Sequence, residues 1–248
     1  MELREFMAGR EREAEWQRAN GYNDEKPECN GEYQTLRKLL PATGLFVDVG
    51  ANQGQFSGLV MAEAPEVGLL AFEPNPSLIE ALRSRLGPLG VVVPVALSDQ
   101  EREATLHVHV SDSTTSSLGL RTGMMPEFTR RMRPVQVQTR VLDRYLEEIR
   151  EKSGSRACCI KIDTQGFEYP VMKGGARVLG LDLPVFVLFE FSFGWKESGY
   201  TLKEAFHFLN DLGFELLRIT PLGLEGVRFY TQEMESAYYC NYLAVRDA

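Results

Sequence analysis

Two clusters in the sequence combine residue types and spacing that can do chemistry. The first is Asp48-Val49-Gly50-Ala51-Asn52-Gln53-Gly54, and the second is Lys161-Ile162-Asp163-Thr164-Gln165-Gly166-Phe167-Glu168. Ahead of the first, an apolar run from Leu45 to Val49, broken only by Asp48, suits a central parallel strand covered on both faces, where alternation is lost. Gly50 and Gly54 carry no Cβ, so the chain can turn sharply there and approach a ligand closely. A helix starting near Gln53 would aim free N–H groups at that ligand. Such a turn at the end of a first strand is where nucleotide-like cofactors sit in open α/β sheets. In the second cluster, Asp163 follows another apolar strand, Ala157 to Ile162, at the sheet edge where a carboxylate can take a proton or orient a substrate.

The glycine spacing narrows the cofactor. A dinucleotide fingerprint, G-x-G-x-x-G, needs a middle glycine, and here Ala51, Asn52 and Gln53 fill the space between Gly50 and Gly54. The next strand, Gly68 to Phe72, ends in Glu73, an acid placed to accept both hydroxyls of a ribose. Asp48-x-Gly50-x-x-x-Gly54 followed by that acid resembles the S-adenosylmethionine (SAM) pocket of class I methyltransferases. Asp48, Gly50, Ala51, Asn52, Gly54 and Glu73 are then the expected cofactor contacts, with Asp163 beside them. The competing reading is an ordinary βαβ turn with a solvated glutamate. Ser98 and Asp99, just beyond a third strand at Val91 to Val95, are candidates to meet an adenine, against a plain Asx turn.

The elements that must hold these groups alternate strand and helix, which predicts a mostly parallel, doubly wound α/β sheet. Residues 1–20, rich in Glu and Arg, and a second segment from about Gly31 to Leu40 read as an N-terminal helical extension over residues 1–40. The extension is expected to cover a sheet edge, the substrate mouth or a partner in a homo-oligomer, and the sequence does not choose. Residues 41–248 form the expected catalytic domain. Ala104 to Val110 alternates as a half-buried antiparallel strand, putting His107 and His109 on its solvent face, with Val135 to Val141 as its partner. The polar stretch 111–134 between them is long enough for a substrate lid, with a simple insertion as the alternative. A fifth strand, Pro184 to Phe189, ends in Glu190, and Phe214 to Ile219 with Tyr238 to Val245 form an antiparallel C-terminal end.

Composition excludes several classes. At 248 residues, 44% hydrophobic and 25% charged, the chain is an ordinary globular protein. Its net charge of −8 opposes broad binding to nucleic-acid phosphates, so no nucleic-acid partner is expected. No apolar run reaches the roughly 18 residues of a membrane span, so no stable membrane insertion is expected. Cys158 and Cys159 are adjacent in a strand and Cys29 and Cys240 lie far apart, which is neither a disulfide framework nor a metal motif. Together with a charged N-terminus, this predicts a cytoplasmic protein with reduced thiols.

With these motifs in place, the sequence resembles the FkbM family of SAM-dependent methyltransferases. The matching pieces are Val47 to Gly54, Phe72-Glu73-Pro74-Asn75-Pro76, Ala96-Leu97-Ser98-Asp99, Ser116-Ser117-Leu118 and Ile160 to Glu168. The resemblance implies a Rossmann-like fold, SAM as cofactor and O-methylation of a hydroxyl on a sugar, a glycolipid or a polyketide-type small molecule. Ser116, Ser117 and Gln165 are the expected acceptor contacts.

Alcohol methylation requires loss of a proton, and the three histidines look peripheral. Asp163, Glu168 and Glu190 are therefore the carboxylate candidates, with Asp163 first as base or orienter. Glu168 is equally readable as a helix-start carboxylate. Lys161, in a strand expected to be buried, would pair with a carboxylate or steer the acceptor, or else snorkel to an edge. A divalent metal is a less favoured option, with no metal ligands assigned. The rival functions are an NAD-dependent oxidoreductase and a catalytically silent nucleoside-binding module.

Overall fold

The computed structural model describes residues 25–119, 129–236 and 239–248. The expected helix over residues 1–20 and the middle of the expected lid lie outside them. Five parallel strands form the centre of the main sheet: β1 (Thr43–Val49), β2 (Gly68–Phe72), β3 (Gly90–Val93), β7 (Ala157–Ile162) and β8 (Val185–Ser192), in the order β3-β2-β1-β7-β8. The third strand stops short of the expected Val95 because Pro94 has no N–H to give a ladder. Beyond β8 the sheet turns antiparallel, with β11 (Tyr239–Arg246) inserted between β8 and β9 (Glu215–Thr220), and β10 (Gly223–Val227) at the edge. The expected doubly wound sheet with an antiparallel C-terminal end is present, and that end has three strands rather than two.

Every residue of β7 is buried, as a strand between two parallel neighbours requires. The two-residue pleat divides its side chains between two cores. Cys158, Ile160 and Ile162 pack with Leu45, Val47 and Val49 of β1 on one face, and Cys159 packs with Phe46 on the other. Lys161 and Asp163 follow Cys159 on that second face, and Asp48 is the residue of β1 in register with Lys161. The charged groups of the two motifs thus converge on one side of the sheet.

That side is covered by helices α1 (Glu32–Leu39) and α2 (Gln55–Glu63), which contribute Leu36 and Val60 to its core. Helix α3 (Pro76–Leu86) is capped by the Asn75 side chain, which accepts from the Ser77 N–H at 3.1 Å. Its Leu82 and Leu86 complete the same layer. The opposite face carries α4 (Leu146–Ser153), α5 (Glu168–Gly174) and α6 (Leu202–Asp211).

A second, three-stranded sheet lies beside the main one: β4 (Ala96–Leu97), β6 (Met132–Arg140) and β5 (Arg102–His109), with β5 and β6 antiparallel as expected. His109 departs from its expected solvent-facing position and is buried. The chain after β5 folds back and pairs Ser117 with His107, adding a bridge to the free edge of β5. All four cysteines are free thiols, and among the described residues no helix is long and apolar enough to cross a membrane.

Gly50 is fixed by two constraints. Its φ is +81°, and a Cβ there would lie 1.9 Å from the carbonyl oxygen of Asp163. Gly50→Ala is expected to destabilise the protein by about 2–3 kcal/mol and lower Tm by about 5–10 °C in calorimetry. An unchanged Tm would contradict the close approach of the β1 and β7 ends.

Candidate active site

A cleft of about 470 Å3 opens where the carboxyl ends of β1, β2, β7 and β8 meet the second sheet. Its first wall is the β1–α2 turn. Asn52, with φ +49°, and Gly54, with φ +75°, make that turn, and the Gly54 N–H closes it onto the Ala51 carbonyl. Helix α2 therefore begins at Gln55, two residues later than expected. Asp48 points up the same face and its Oδ2 accepts from the Ser57 N–H (3.2 Å) and hydroxyl (2.6 Å). It thus takes up one of the helix-start amides that a ligand would otherwise meet. Burial pushes the Asp48 carboxyl up to about 6 despite these donors.

Glu73 joins the first two turns. Its Oε2 accepts from the Asn52 N–H (2.8 Å) and its Oε1 from the Asn75 N–H (2.7 Å), so both oxygens are held with lone pairs left for the cleft. Burial raises its carboxyl to about 7. Beside it, Phe72, Pro74, Val95, Ala96, Leu97, Leu106 and Leu118 form an apolar slot.

The second wall is the turn after β7. Gln165 adopts φ +58°, and its Nε2 donates to Asp163 Oδ1 (2.9 Å) and to the Glu190 carboxyl (3.2 and 3.3 Å). The other oxygen of Asp163 lies 3.6 Å from Lys161 Nζ. Asp163 keeps 32% of its side chain exposed and faces the cleft, whereas Lys161 is only 1% exposed. Lys161 also pairs with Glu32 Oε1 at 3.2 Å and sits 4.9 Å from the centre of the Phe56 ring. Burial opposes its charge, but the Glu32, Asp163 and Glu190 carboxyls outweigh burial and raise the ammonium above its ordinary value. Glu190 is buried in β8, and desolvation, with Asp163 and Glu168 nearby, pushes its carboxyl well up.

The structure brings Asp48, Gly50, Ala51, Asn52, Glu73, Ser116, Ser117, Lys161, Asp163, Gln165 and Glu190 to the cleft. It leaves four expected residues outside. Gly54 packs under Leu82, which a Cβ would meet at 2.7 Å. Ser98 and Asp99 follow β4, whose pairing with β6 carries the chain away from the cleft. The Ser98 N–H donates to the Arg140 carbonyl, and Asp99 forms an ion pair with Lys173 at 2.8 Å. The residues preceding them, Val95 to Leu97, line the slot instead. Glu168, 0% exposed, turns inward and accepts from the Thr164 N–H (2.8 Å) and the Gly166 N–H (2.9 Å). It shapes the turn that presents Asp163.

Ser117 lines the cleft, but its hydroxyl donates to the Gln165 carbonyl at 2.8 Å. Ser113 likewise donates to Asn52 Oδ1 at 2.9 Å. The segment after β5 thereby touches both turns. The buried hydroxyl oxygens of Ser116 and Thr164, both in the cleft lining, have no hydrogen-bond partner among the described residues. Sequence reasoning missed Glu32, Phe56, Tyr239 and Glu197, which also line the cleft. Only the fold brings them there, and none stands in a motif that would have announced it.

Asp48, Glu73 and Glu168, the last raised to about 7 chiefly by burial, hold protons more tightly in the folded chain than in the unfolded one. Their contribution is fully present below the ordinary carboxyl values of 3.8 and 4.5 and is lost as pH rises through about 6 to 7. Tm is therefore expected to fall between about pH 4 and pH 7, and Glu168→Gln to flatten that slope in scanning calorimetry. A slope unchanged in the variant would show that Glu168 ionises alike in both states.

Known proteins resemble the chain to different extents. The 2-O-methyltransferase NoeI of Sinorhizobium fredii is 27% identical over 205 residues, covering 78% of this chain and 81% of NoeI. The AMB antimetabolite synthetase AmbE of Pseudomonas aeruginosa is 37% identical over 83 residues, 32% of this chain but 4% of that protein. The crystal structure of methyltransferase FkbM from Methylobacillus flagellatus matches with a TM-score of 0.45 and 14% identity, covering 82% of this chain and 44% of that one. Residues 48–216, well over half of the chain and holding both strand-end turns, match the profile of the Methyltransferase FkbM domain. On that match, the chain belongs to the FkbM family of SAM-dependent methyltransferases.

Proposed function

We propose that the protein moves a methyl group from SAM to a hydroxyl of a neutral, polyhydroxylated acceptor such as a sugar, a glycolipid or a polyketide-type product. The observation that carries this reading is Asp163: a half-buried carboxylate, fixed at both oxygens by Gln165 and Lys161, that opens into the cleft. The residues fit the cofactor. Glu73 has lone pairs for the ribose hydroxyls, the Phe72–Leu97 slot suits a flat base, and the unpartnered Ser116 and Thr164 hydroxyls face the same space. When bound, SAM supplies a methyl carbon activated by its sulfonium.

The chain's own part is alignment, exclusion of water and proton removal. The acceptor oxygen forms its bond to the methyl carbon as the carbon–sulfur bond breaks, and its proton passes to a carboxylate oxygen of Asp163. Gln165 and Lys161 hold that carboxylate still, and Glu190, with its carboxyl raised by burial, leaves Asp163 as the base. The acceptor's neutrality rests on charge. Among the described residues the cleft lining has eight carboxyl groups against the one ammonium of Lys161, a setting that disfavours a phosphorylated acceptor but accepts hydrogen bonds from hydroxyls. NoeI, whose name gives it as a 2-O-methyltransferase, supports the choice of oxygen.

Asp163→Asn is expected to lower turnover by about 10²–10⁴-fold while changing S-adenosylhomocysteine affinity less than about threefold. The assay is mass-spectrometric detection of methylated product across a panel of methyl glycosides and hydroxylated lipids. Full activity in the variant would remove Asp163 from the reaction. In calorimetric titration, Glu73→Ala should weaken S-adenosylhomocysteine binding by at least about tenfold, the worth of one charge-assisted hydrogen bond in a buried site. Unweakened binding, or binding of NAD alone, would overturn the cofactor assignment.

A further inference from the structure

We infer that Glu32, which lies ahead of the segment matched by the family, is a positioning residue of the active site: it holds Lys161 as an ammonium aimed between Asp163 and Glu190. The geometry starts at Gly31. Its φ is +96°, and a Cβ there would sit 2.2 Å from the carbonyl oxygen of Thr220, so only glycine lets the chain press against β9 at this point. Asn30 then fixes the next residue twice. Its Oδ1 accepts from the Glu32 N–H (3.0 Å) and its Nδ2 donates to Glu32 Oε2 (2.9 Å). The second carboxylate oxygen is left to meet Lys161 Nζ at 3.2 Å, with both side chains at most 2% exposed.

A glutamate in the first turn of an amphipathic helix belongs on the surface, yet here it is held in the interior by a left-handed glycine and an asparagine clamp. The arrangement answers a need of Lys161. A buried ammonium is expensive unless compensated. Without Glu32 its nearest compensating group would be Asp163, and a tight pair between them would occupy the base. With Glu32 closer than Asp163, 3.2 against 3.6 Å, Lys161 is neutralised from behind and only steadies Asp163. The other charged or titratable groups around it are Asp48 of β1, in register with it, Glu190 of β8, and the Tyr239 hydroxyl of β11, which lies near Glu32, Asp163 and Glu190. The Asp163 and Glu190 carboxyls remain when Glu32 is removed, so the loss of compensation is partial and its burden passes to the base.

This builds on the reading of Asp163 as the base, but its test needs no acceptor. In protein carrying 15N-lysine, the Lys161 Nζ resonance, assigned by its loss in Lys161→Arg, is followed through a pH titration in the unaltered chain, Glu32→Gln and Glu32→Asp. Loss of a neighbouring opposite charge should move the Lys161 titration down by about one to three pH units in Glu32→Gln. Glu32→Asp, which keeps the charge, should recover most of the shift. S-adenosylhomocysteine titration confirms that each variant is folded, and if Glu32→Gln does not fold, Glu32→Asp against Gly31→Ala, which displaces the carboxylate without removing it, gives the same comparison. A Lys161 titration that is the same in all folded forms overturns the inference. Full activity in Asp163→Asn, with the Lys161 shift in Glu32→Gln still present, would instead count against the function alone.

Discussion

The site depends on one interaction, the burial of the Lys161 ammonium among carboxyl groups at the carboxyl end of the sheet. A lone charge in that position would cost several kcal/mol, and breaking one partner of a buried pair costs about 3–5 kcal/mol. The surrounding chain is arranged to satisfy it. β1 runs alongside with Asp48 in register, β8 brings Glu190, α1 brings Glu32, and α2 lays the Phe56 ring beside the ammonium. The same cation gives several acidic groups a reason to coexist within one cleft, where mutual repulsion and desolvation would otherwise protonate more of them.

A division of labour among the carboxyl groups follows. Glu73 and Glu168 are each occupied by two backbone amides and serve as braces, one between the first two strand-end turns and one inside the turn after β7. Asp48 caps α2. Glu190 is sealed within β8. Among these five acids Asp163 alone combines two fixed partners with substantial exposure to the cleft, and that contrast in surroundings, rather than any difference in residue type, singles it out.

Much of this was legible in the sequence because it is local. The apolar run ending at Val49, the glycine turn, the acid after Phe72 and the Asp163 turn each sit within a few residues of the strand that places them. What escaped was set by distant pairing. Ser98 and Asp99 look like cofactor contacts until β4 pairs with β6 and turns them toward Lys173. His109 looks solvated from the alternation of β5 but is buried in the fold. Glu32 and Tyr239 are brought to the cleft by helix packing and by the insertion of β11 beside β8, neither of which leaves a trace in the neighbouring residues.

The two strand-end turns share a feature that bears on which sequences can build this site. Asn52 and Gln165 both hold left-handed backbone without being glycine, and the segment after β5 fastens each from outside, Ser113 to the side chain of one and Ser117 to the carbonyl of the other. Left-handed backbone admits asparagine and glycine readily, glutamine at some strain, and valine, isoleucine or threonine hardly at all. The permitted alphabet at positions 52 and 165 is therefore short for reasons of backbone shape alone. Exchanges between unbranched polar residues there test the side chain, whereas a β-branched replacement tests only whether the turn can form.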